Sequence, residues 1–116
     1  MPAPVAAPSI MDVLAEPNRR RILDLLRVRE RAVGDLVDAL AITQPTVSKH
    51  LRVLRDAGLV ESRANAQQRL YRLQPAPLRE LDQWLAPYRA MWATRLDALE
   101  RVVDHLPGAT PKRRPR

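Results

Sequence analysis

The sequence predicts a mainly α-helical domain that carries one small β-hairpin and ends in a long amphipathic helix. Three observations predict this fold class. Apolar residues recur at spacings of three and four over most of the chain, as in helices that bury one face. Residues 59–73 break this period with short alternating runs on either side of a polar turn. With no Phe and only 3% aromatic residues, the core must be built from Leu, Val, Ile and Ala.

Length and charge narrow the possibilities further. A chain of 116 residues is long enough for one domain with a modest core. The formal net charge is +7 and the sequence pI is about 11.2, which points to a polyanionic partner. Four of the cations lie in residues 107–116, so this basic tail exaggerates the signal.

Several classes of function are disfavoured by what the sequence lacks. There is no Cys, so disulfides and thiolate chemistry are excluded. Two dispersed His residues and the lack of paired carboxylates in a predicted cleft leave nothing arranged for acid/base or nucleophilic catalysis, so we predict that the protein is not an enzyme. No signal peptide and no apolar run long enough to span a bilayer are present. We therefore predict a cytoplasmic protein without membrane contact.

The first three helices are predicted from caps and apolar spacing. The Pro- and Ala-rich residues 1–8 are expected to be disordered, like the basic tail. Ser9 has the features of a cap for a short first helix. Pro17 suits the first turn of a second helix that should end near Arg29. Residues 33–40 repeat the apolar spacing and predict a third, shorter helix.

A tight turn then leads into a fourth helix, at about residues 43–57. Thr43 is expected to cap it by accepting a hydrogen bond from the Thr46 amide, and Pro45 falls where a missing N–H costs nothing. Gly58 is expected to end this helix by adopting the left-handed backbone conformation. The apolar stripe that this helix should bury consists of Val47, Leu51 and Leu54.

Beyond the fourth helix the sequence predicts a hairpin with Asn65 in its turn, which completes a domain over residues 9–76. Residues 77–106 then read as one long helix, with a possible kink at Pro87. Its stripe of large apolar residues exceeds what a small domain can cover, so we predict a homodimer formed by this helix. The predicted interface consists of Leu81, Leu85, Tyr88, Trp92, Leu96, Leu99 and Val103.

The polar face of the fourth helix carries the functional prediction. On a helical wheel, the face opposite the apolar stripe includes Thr46, Lys49 and Arg52, with Ser48 and His50 on the flanks and Gln44 at the amino-terminal end. An amide that can pair with adenine, cations for guanine or phosphate, and methyl groups for thymine suit the DNA major groove. Two short helices, a tight turn and this helix make a helix-turn-helix, and the hairpin adds basic residues that can follow the DNA backbone. The predicted DNA contacts are Gln44, Thr46, Ser48, Lys49, His50, Arg52, Arg63 and Arg69.

Two alternative interpretations of this helix do not involve specific DNA binding. A charged helix face opposite an apolar stripe is often only a solvated face. The same scaffold could also serve as a winged-helix module that binds protein without specific DNA binding. Residues 44–72 contain six cations against two acids, and a protein-binding module has no need for this excess. DNA binding would also depend steeply on salt.

Four segments resemble the ArsR family of bacterial winged-helix transcriptional regulators: LAEPNRRRILDLL, VGDLVDAL, ITQPTVSKHLRVLRDAGLVESR and RLYRL. The resemblance spans residues 12–106 and is most specific in QPTVSKHL and AGLVESR. It implies a homodimeric repressor of an imperfect inverted repeat in double-stranded DNA, with the fourth helix in the major groove and the hairpin as a wing. Five residues match the recognition-helix motif: Gln44, Thr46, Ser48, Lys49 and His50. Arg63 and Arg69 match basic positions around the wing. At the wing tip, Ala66 and Gln67 depart from the Gly and Arg of many relatives.

The resemblance also implies which branch of the family this is. Metal-sensing members carry a Cys-Val-Cys-Asp pattern on the third helix, where soft thiolates bind soft ions. The matching residues here are Ala32, Val33, Gly34 and Asp35. The Asp-x-His spacing of a second kind of metal site is also absent from the long helix. We therefore predict a metal-independent regulator without a cofactor, whose inducer the sequence does not identify.

Overall fold

The computed structural model describes residues 9–107, so the predicted disorder of residues 1–8 and nearly all of the tail lies outside the described residues. The chain divides into two compact units, one that ends at Leu81 and one that begins at Asp82. The helices and strands are α1 (Ile10–Ala15), α2 (Pro17–Val28), β1 (Arg31–Ala32), α3 (Val33–Leu40), α4 (Gln44–Asp56), β2 (Val60–Asn65), β3 (Gln68–Leu73) and α5 (Leu78–Asp104). This order confirms the predicted fold class.

The sheet has one strand more than the predicted hairpin. Its three antiparallel strands lie in the order β1-β3-β2. Strand β1 pairs with β3 through Arg31 opposite Tyr71 and Ala32 opposite Leu70. A strand of two residues is too short to show alternation in a sequence, which is why sequence analysis missed it.

Caps fix the starts of the first two helices. The Ser9 hydroxyl accepts a hydrogen bond from the Asp12 amide at 3.2 Å, as predicted for α1. In α2, Pro17 occupies the first turn as predicted, and the Glu16 carboxylate accepts from the Arg19 amide at 3.1 Å. Helix α2 ends with Arg29 as its C-cap, also as predicted.

The predicted cap of α4 is wrong in detail. The Thr43 hydroxyl does not accept from the Thr46 amide; instead the two threonine hydroxyl oxygens lie 2.8 Å apart and share a hydrogen bond. The Thr46 hydroxyl, rather than the Thr46 amide, is therefore the hydrogen-bond partner of the Thr43 side chain. The turn before α4 contains Ala41 in the left-handed region, at φ 56°.

The core of the first unit lies among α1 to α4 and the start of β2. Val47, Leu51 and Leu54 of α4 are at most 1% exposed, which confirms the predicted stripe. The other buried apolar residues are Val13, Ile22, Leu23, Leu26, Leu36, Leu40, Leu59 and Val60. Because one face of α4 is buried so completely, the helix cannot turn about its own axis. The opposite face therefore stays directed toward solvent.

The hairpin turn also differs from the prediction. Asn65 is the last residue of β2 and pairs with Gln68, so the turn is made by Ala66 and Gln67. Ala66 takes the left-handed conformation, at φ 55°. Asn is favoured in turns because it tolerates this conformation, but the strand register places the turn one residue later.

Gly58 ends α4 as predicted, with φ 76°, and its amide donates to the Arg55 carbonyl at 2.9 Å. A Cβ at this position would contact only Pro77, at 3.5 Å, so Gly58→Ala adds backbone strain without a clash. We expect it to lower the free energy of unfolding by about 1–2 kcal/mol in urea denaturation. Gly34→Ala is the matched control, because Gly34 lies in α3 with open space around it and Ala favours helix. Equal effects at the two glycines would contradict the prediction.

Candidate nucleic-acid interface

The exposed face of α4 carries most of the predicted DNA contacts together. Gln44, Thr46, Ser48, Lys49 and Arg52 are all exposed, while the stripe on the other side of the helix is buried. This side of α4 therefore presents an amide, two hydroxyls and two cations to solvent on one rigid element. We call these five residues the recognition face.

His50 lies apart from the recognition face. Its side chain is only 15% exposed, and its Nε2 lies 3.6 Å from an Oε2 of Glu16. Glu16 also caps α2, so the imidazole packs against the start of that helix. A DNA contact by His50 stays a prediction, and the observed contact is one between α4 and the α2 cap.

The two predicted wing residues lie on opposite faces of the hairpin. Arg63 of β2 stands opposite Leu70, whereas Arg69 of β3 stands opposite Ala64. Side chains alternate between faces along a strand, and directly paired residues share a face. Arg69 lies on the face that also carries Ser62, and its Nη1 donates to the Ser62 hydroxyl at 3.2 Å. The other face, which we call the outer face, carries Glu61, Arg63, Asn65, Gln68, Leu70 and Arg72.

Ion pairs organise the outer face. Arg63 holds the carboxylate of Glu30 side-on: its Nε donates to Oε2 at 3.1 Å and its Nη2 donates to Oε1. Arg72 pairs with Glu61 across the strands, with its Nε and Nη2 both directed at Oε1. The hydrogen bond from Arg63 holds the pKa of Glu30 below its ordinary value, and the charges of Arg63 and Arg72 act in the same direction. The Glu30–Arg63 pair therefore stays intact as the pH falls, until Glu30 is protonated below its usual range.

Sequence analysis missed Glu30. It lies in the link between α2 and β1, and its partner lies on β2, far along the chain. An alternating sign of charge within the hairpin could have suggested the cross-strand pair of Glu61 and Arg72. No comparable signal connects Glu30 to Arg63, because the link reaches the hairpin only through the pairing of β1 with β3.

Helix α5 carries the predicted dimer residues and runs unbroken through Pro87. Leu81 and Leu85 are partly buried. The remaining five predicted residues are between 43% and 63% exposed: Tyr88, Trp92, Leu96, Leu99 and Val103. Whether the helix bends at Pro87 stays a prediction.

The positions that match the metal box are Ala32 to Asp35 of β1 and α3, which offer one carboxylate and no thiolate or imidazole. Within residues 9–107 no three His, Cys, Asp or Glu side chains are grouped as metal ligands would be. In the same range, no helix combines the length and apolar character needed to cross a membrane.

Comparison with known proteins gives the family. The model of "Bacterial regulatory protein, arsR family" matches residues 16–62, which include α2, α3 and all of α4. The HTH-type transcriptional regulator Rv2034 of Mycobacterium tuberculosis is 35% identical over 91 residues, which cover 78% of this chain and 82% of that protein. The chain belongs to the ArsR family.

Two further comparisons bear on function and fold. The HTH-type transcriptional repressor SmtB of Mycobacterium tuberculosis is 44% identical over 68 residues, 59% of this chain. The chain spans only 50% of the length of that repressor. A crystal structure described as a possible transcriptional regulator for arsenical resistance is 37% identical, with a TM-score of 0.62. That match covers 85% of this chain and 98% of the other.

Proposed function

We propose that this ArsR-family protein is a sequence-specific DNA-binding transcriptional repressor. The observation that carries the proposal is the recognition face, because α4 turns five polar side chains to solvent while its opposite stripe is buried. In this proposal α4 lies in the major groove of double-stranded DNA. Gln44 pairs with adenine, Thr46 contacts a base edge, and Lys49 and Arg52 contact guanine edges or phosphates. Ser48 and His50 contact the DNA backbone and thereby fix the position of the protein on the duplex.

Repression is supported by relatives. SmtB, which is 44% identical over 68 residues, is named a transcriptional repressor. A protein that blocks a promoter needs affinity and specificity but no catalytic group, so the proposed repressor is not an enzyme. Because its target is chromosomal DNA, it works in the bacterial cytoplasm.

Charge supports DNA as the partner. Residues 44–72 contain Lys49, Arg52, Arg55, Arg63, Arg69 and Arg72 against Asp56 and Glu61, a net charge of +4. Arg63 and Arg72 are held in ion pairs on the outer face, which leaves Lys49, Arg52, Arg55 and Arg69. Of these four cations, we assign Lys49, Arg52 and Arg69 to DNA. In this proposal Arg69 contacts phosphate from the other face of the wing.

The repressor acts as a homodimer in this proposal. Described by itself, α5 contains no buried residue and exposes large apolar side chains along most of its length. Pairing of two such helices about a two-fold axis removes this surface from water. It also relates two recognition faces by the same axis. The operator is then a pseudo-palindrome whose half-site centres lie about 34–36 Å apart or a multiple of that distance.

The first test is binding of the purified protein to the DNA upstream of its own coding sequence, followed by fluorescence anisotropy. A random duplex of equal length, two salt concentrations and an added chelator complete the experiment. We expect preference for the upstream fragment, a steep salt dependence and no effect of the chelator. Equal, salt-insensitive binding to both duplexes would favour the protein-interaction module instead. Loss of binding on chelation would contradict the metal-independent assignment.

The proposed DNA contacts predict different behaviour for two variants, one in the recognition face and one in the wing. Gln44→Ala removes a side chain assigned to base recognition, so we expect it to lower discrimination at one operator position by about 1–3 kcal/mol. Arg69→Ala removes a phosphate contact and should weaken binding to operator and random DNA by the same factor. Competition titrations with single-base operator variants measure both effects. Equal losses on operator and random DNA for Gln44→Ala would contradict its assigned role.

A further inference from the structure

The wing offers DNA fewer free cations than its sequence suggests. All three hairpin arginines have an acceptor in the structure, and for two of them it is a carboxylate: Glu30 for Arg63 and Glu61 for Arg72. The outer face together with Glu30 therefore carries two cations and two anions. This face of the wing is electrostatically balanced.

The two pairs differ in origin. Glu61 and Arg72 lie directly opposite each other on neighbouring strands, so the pair belongs to the hairpin. Glu30 belongs to the link between α2 and β1, and β1 holds this link beside the wing by pairing with β3. The carboxylate meets the guanidinium with two parallel contacts, the geometry that a phosphate would otherwise use.

We propose that Glu30 holds Arg63 away from DNA, so that it lowers the affinity of the wing for phosphate and limits nonspecific binding. Glu30 is thus a positioning residue that competes with DNA for one wing arginine. This inference rests on the proposed DNA-binding function and deepens it. It also changes the prediction for Arg63, which contacts DNA only when Glu30 releases it.

The pair is accessible enough for such competition. The Arg63 side chain is 55% exposed and that of Glu30 is 30% exposed. An exposed ion pair is weak, because water screens both charges and the side chains lose freedom when they pair. Breaking it should therefore shift binding by a modest factor. Because a phosphate contact carries no sequence information, removing Glu30 should raise the affinity for every sequence by the same factor and leave the discrimination between sequences unchanged.

The test is a double-mutant cycle with Glu30→Gln and Arg63→Ala on the full chain, with a random 24-base-pair duplex as the probe. Gln keeps the shape of Glu but removes its charge. We expect Glu30→Gln to raise the affinity for this duplex about two- to fivefold more in the wild-type background than in the Arg63→Ala background. The slope of log K against log salt should steepen by about 0.9, the value for one added phosphate contact.

The Arg63→Ala background supplies the control for charge alone, because there the same substitution removes the same negative charge with no arginine to release. A merely structural role of Glu30 would loosen the wing and weaken binding. Binding by Glu30→Gln that is unchanged or weaker, or an equal gain in both backgrounds, would overturn the inference. If the wild type itself binds DNA without salt dependence, the proposed function fails as well, so the two failures are distinguishable.

A second comparison covers the case in which Glu30→Gln does not fold, as thermal melting would reveal. Arg63→Ala and Arg69→Ala remove the same charge from opposite faces of one hairpin. We expect Arg63→Ala to weaken binding to the random duplex less than Arg69→Ala does. An equal or larger loss for Arg63→Ala would overturn the inference without any change at Glu30.

Discussion

Leu96→Glu and Leu99→Glu, introduced together, are expected to convert the protein to a monomer and to weaken operator binding by about 100-fold or more. Both side chains are large, apolar and more than half exposed on α5, at 63% and 59%. In the proposed dimer, two carboxylates at the two-fold axis would be desolvated opposite their own copies, which opposes pairing. Each recognition face would then bind its half-site alone and lose the gain from linkage. Light scattering after size exclusion measures the mass, and fluorescence anisotropy measures the affinity.

The control for this variant is Ala90→Glu, which adds a carboxylate to the same helix. Ala90 lies on the side of α5 away from Leu96 and Leu99, by the helical period of 100° per residue. We expect it to leave both mass and affinity unchanged. A dimeric double variant would show that another surface joins the subunits. A monomer that keeps the wild-type affinity would show that dimerisation is not needed for operator binding.

Leu54→Ala is expected to lower the free energy of unfolding by about 2–5 kcal/mol, the largest stability effect that we predict. Leu54 is 0% exposed and belongs to the stripe that seats α4 in the core. Its truncation removes apolar contacts and leaves a cavity that the surrounding helices cannot fully close. Because the same stripe fixes the rotation of α4, operator affinity should fall with stability. Urea denaturation followed by circular dichroism measures the change.

Val28→Ala serves as the comparison, because Val28 lies at the end of α2 with 68% of its surface exposed. We expect it to change the free energy of unfolding by no more than about 0.5 kcal/mol. A loss at Leu54 no greater than that at Val28 would mean that the α4 stripe is not the centre of the core.

Many features of this protein can be predicted from its sequence because they depend on residues that lie close together in the chain. The period of the apolar residues predicts the helices, and the burial of Val47, Leu51 and Leu54 confirms the face of α4 that was expected to pack. Ser9 and Gly58 mark helix ends because their caps involve residues within one turn. The family follows from the same segments, since QPTVSKHL lies within the matched residues 16–62.

Features that depend on distant parts of the chain were decided only by the tertiary structure. The third strand exists because β3 offers a free edge to two residues that have no strand signal of their own. Register moved the hairpin turn past Asn65 and separated Arg63 from Arg69 onto opposite faces. The contacts of His50 with Glu16 and of Arg63 with Glu30 join segments that are far apart in sequence. Composition and helical period describe each segment by itself, whereas an ion pair between segments depends on how the folded chain brings them together.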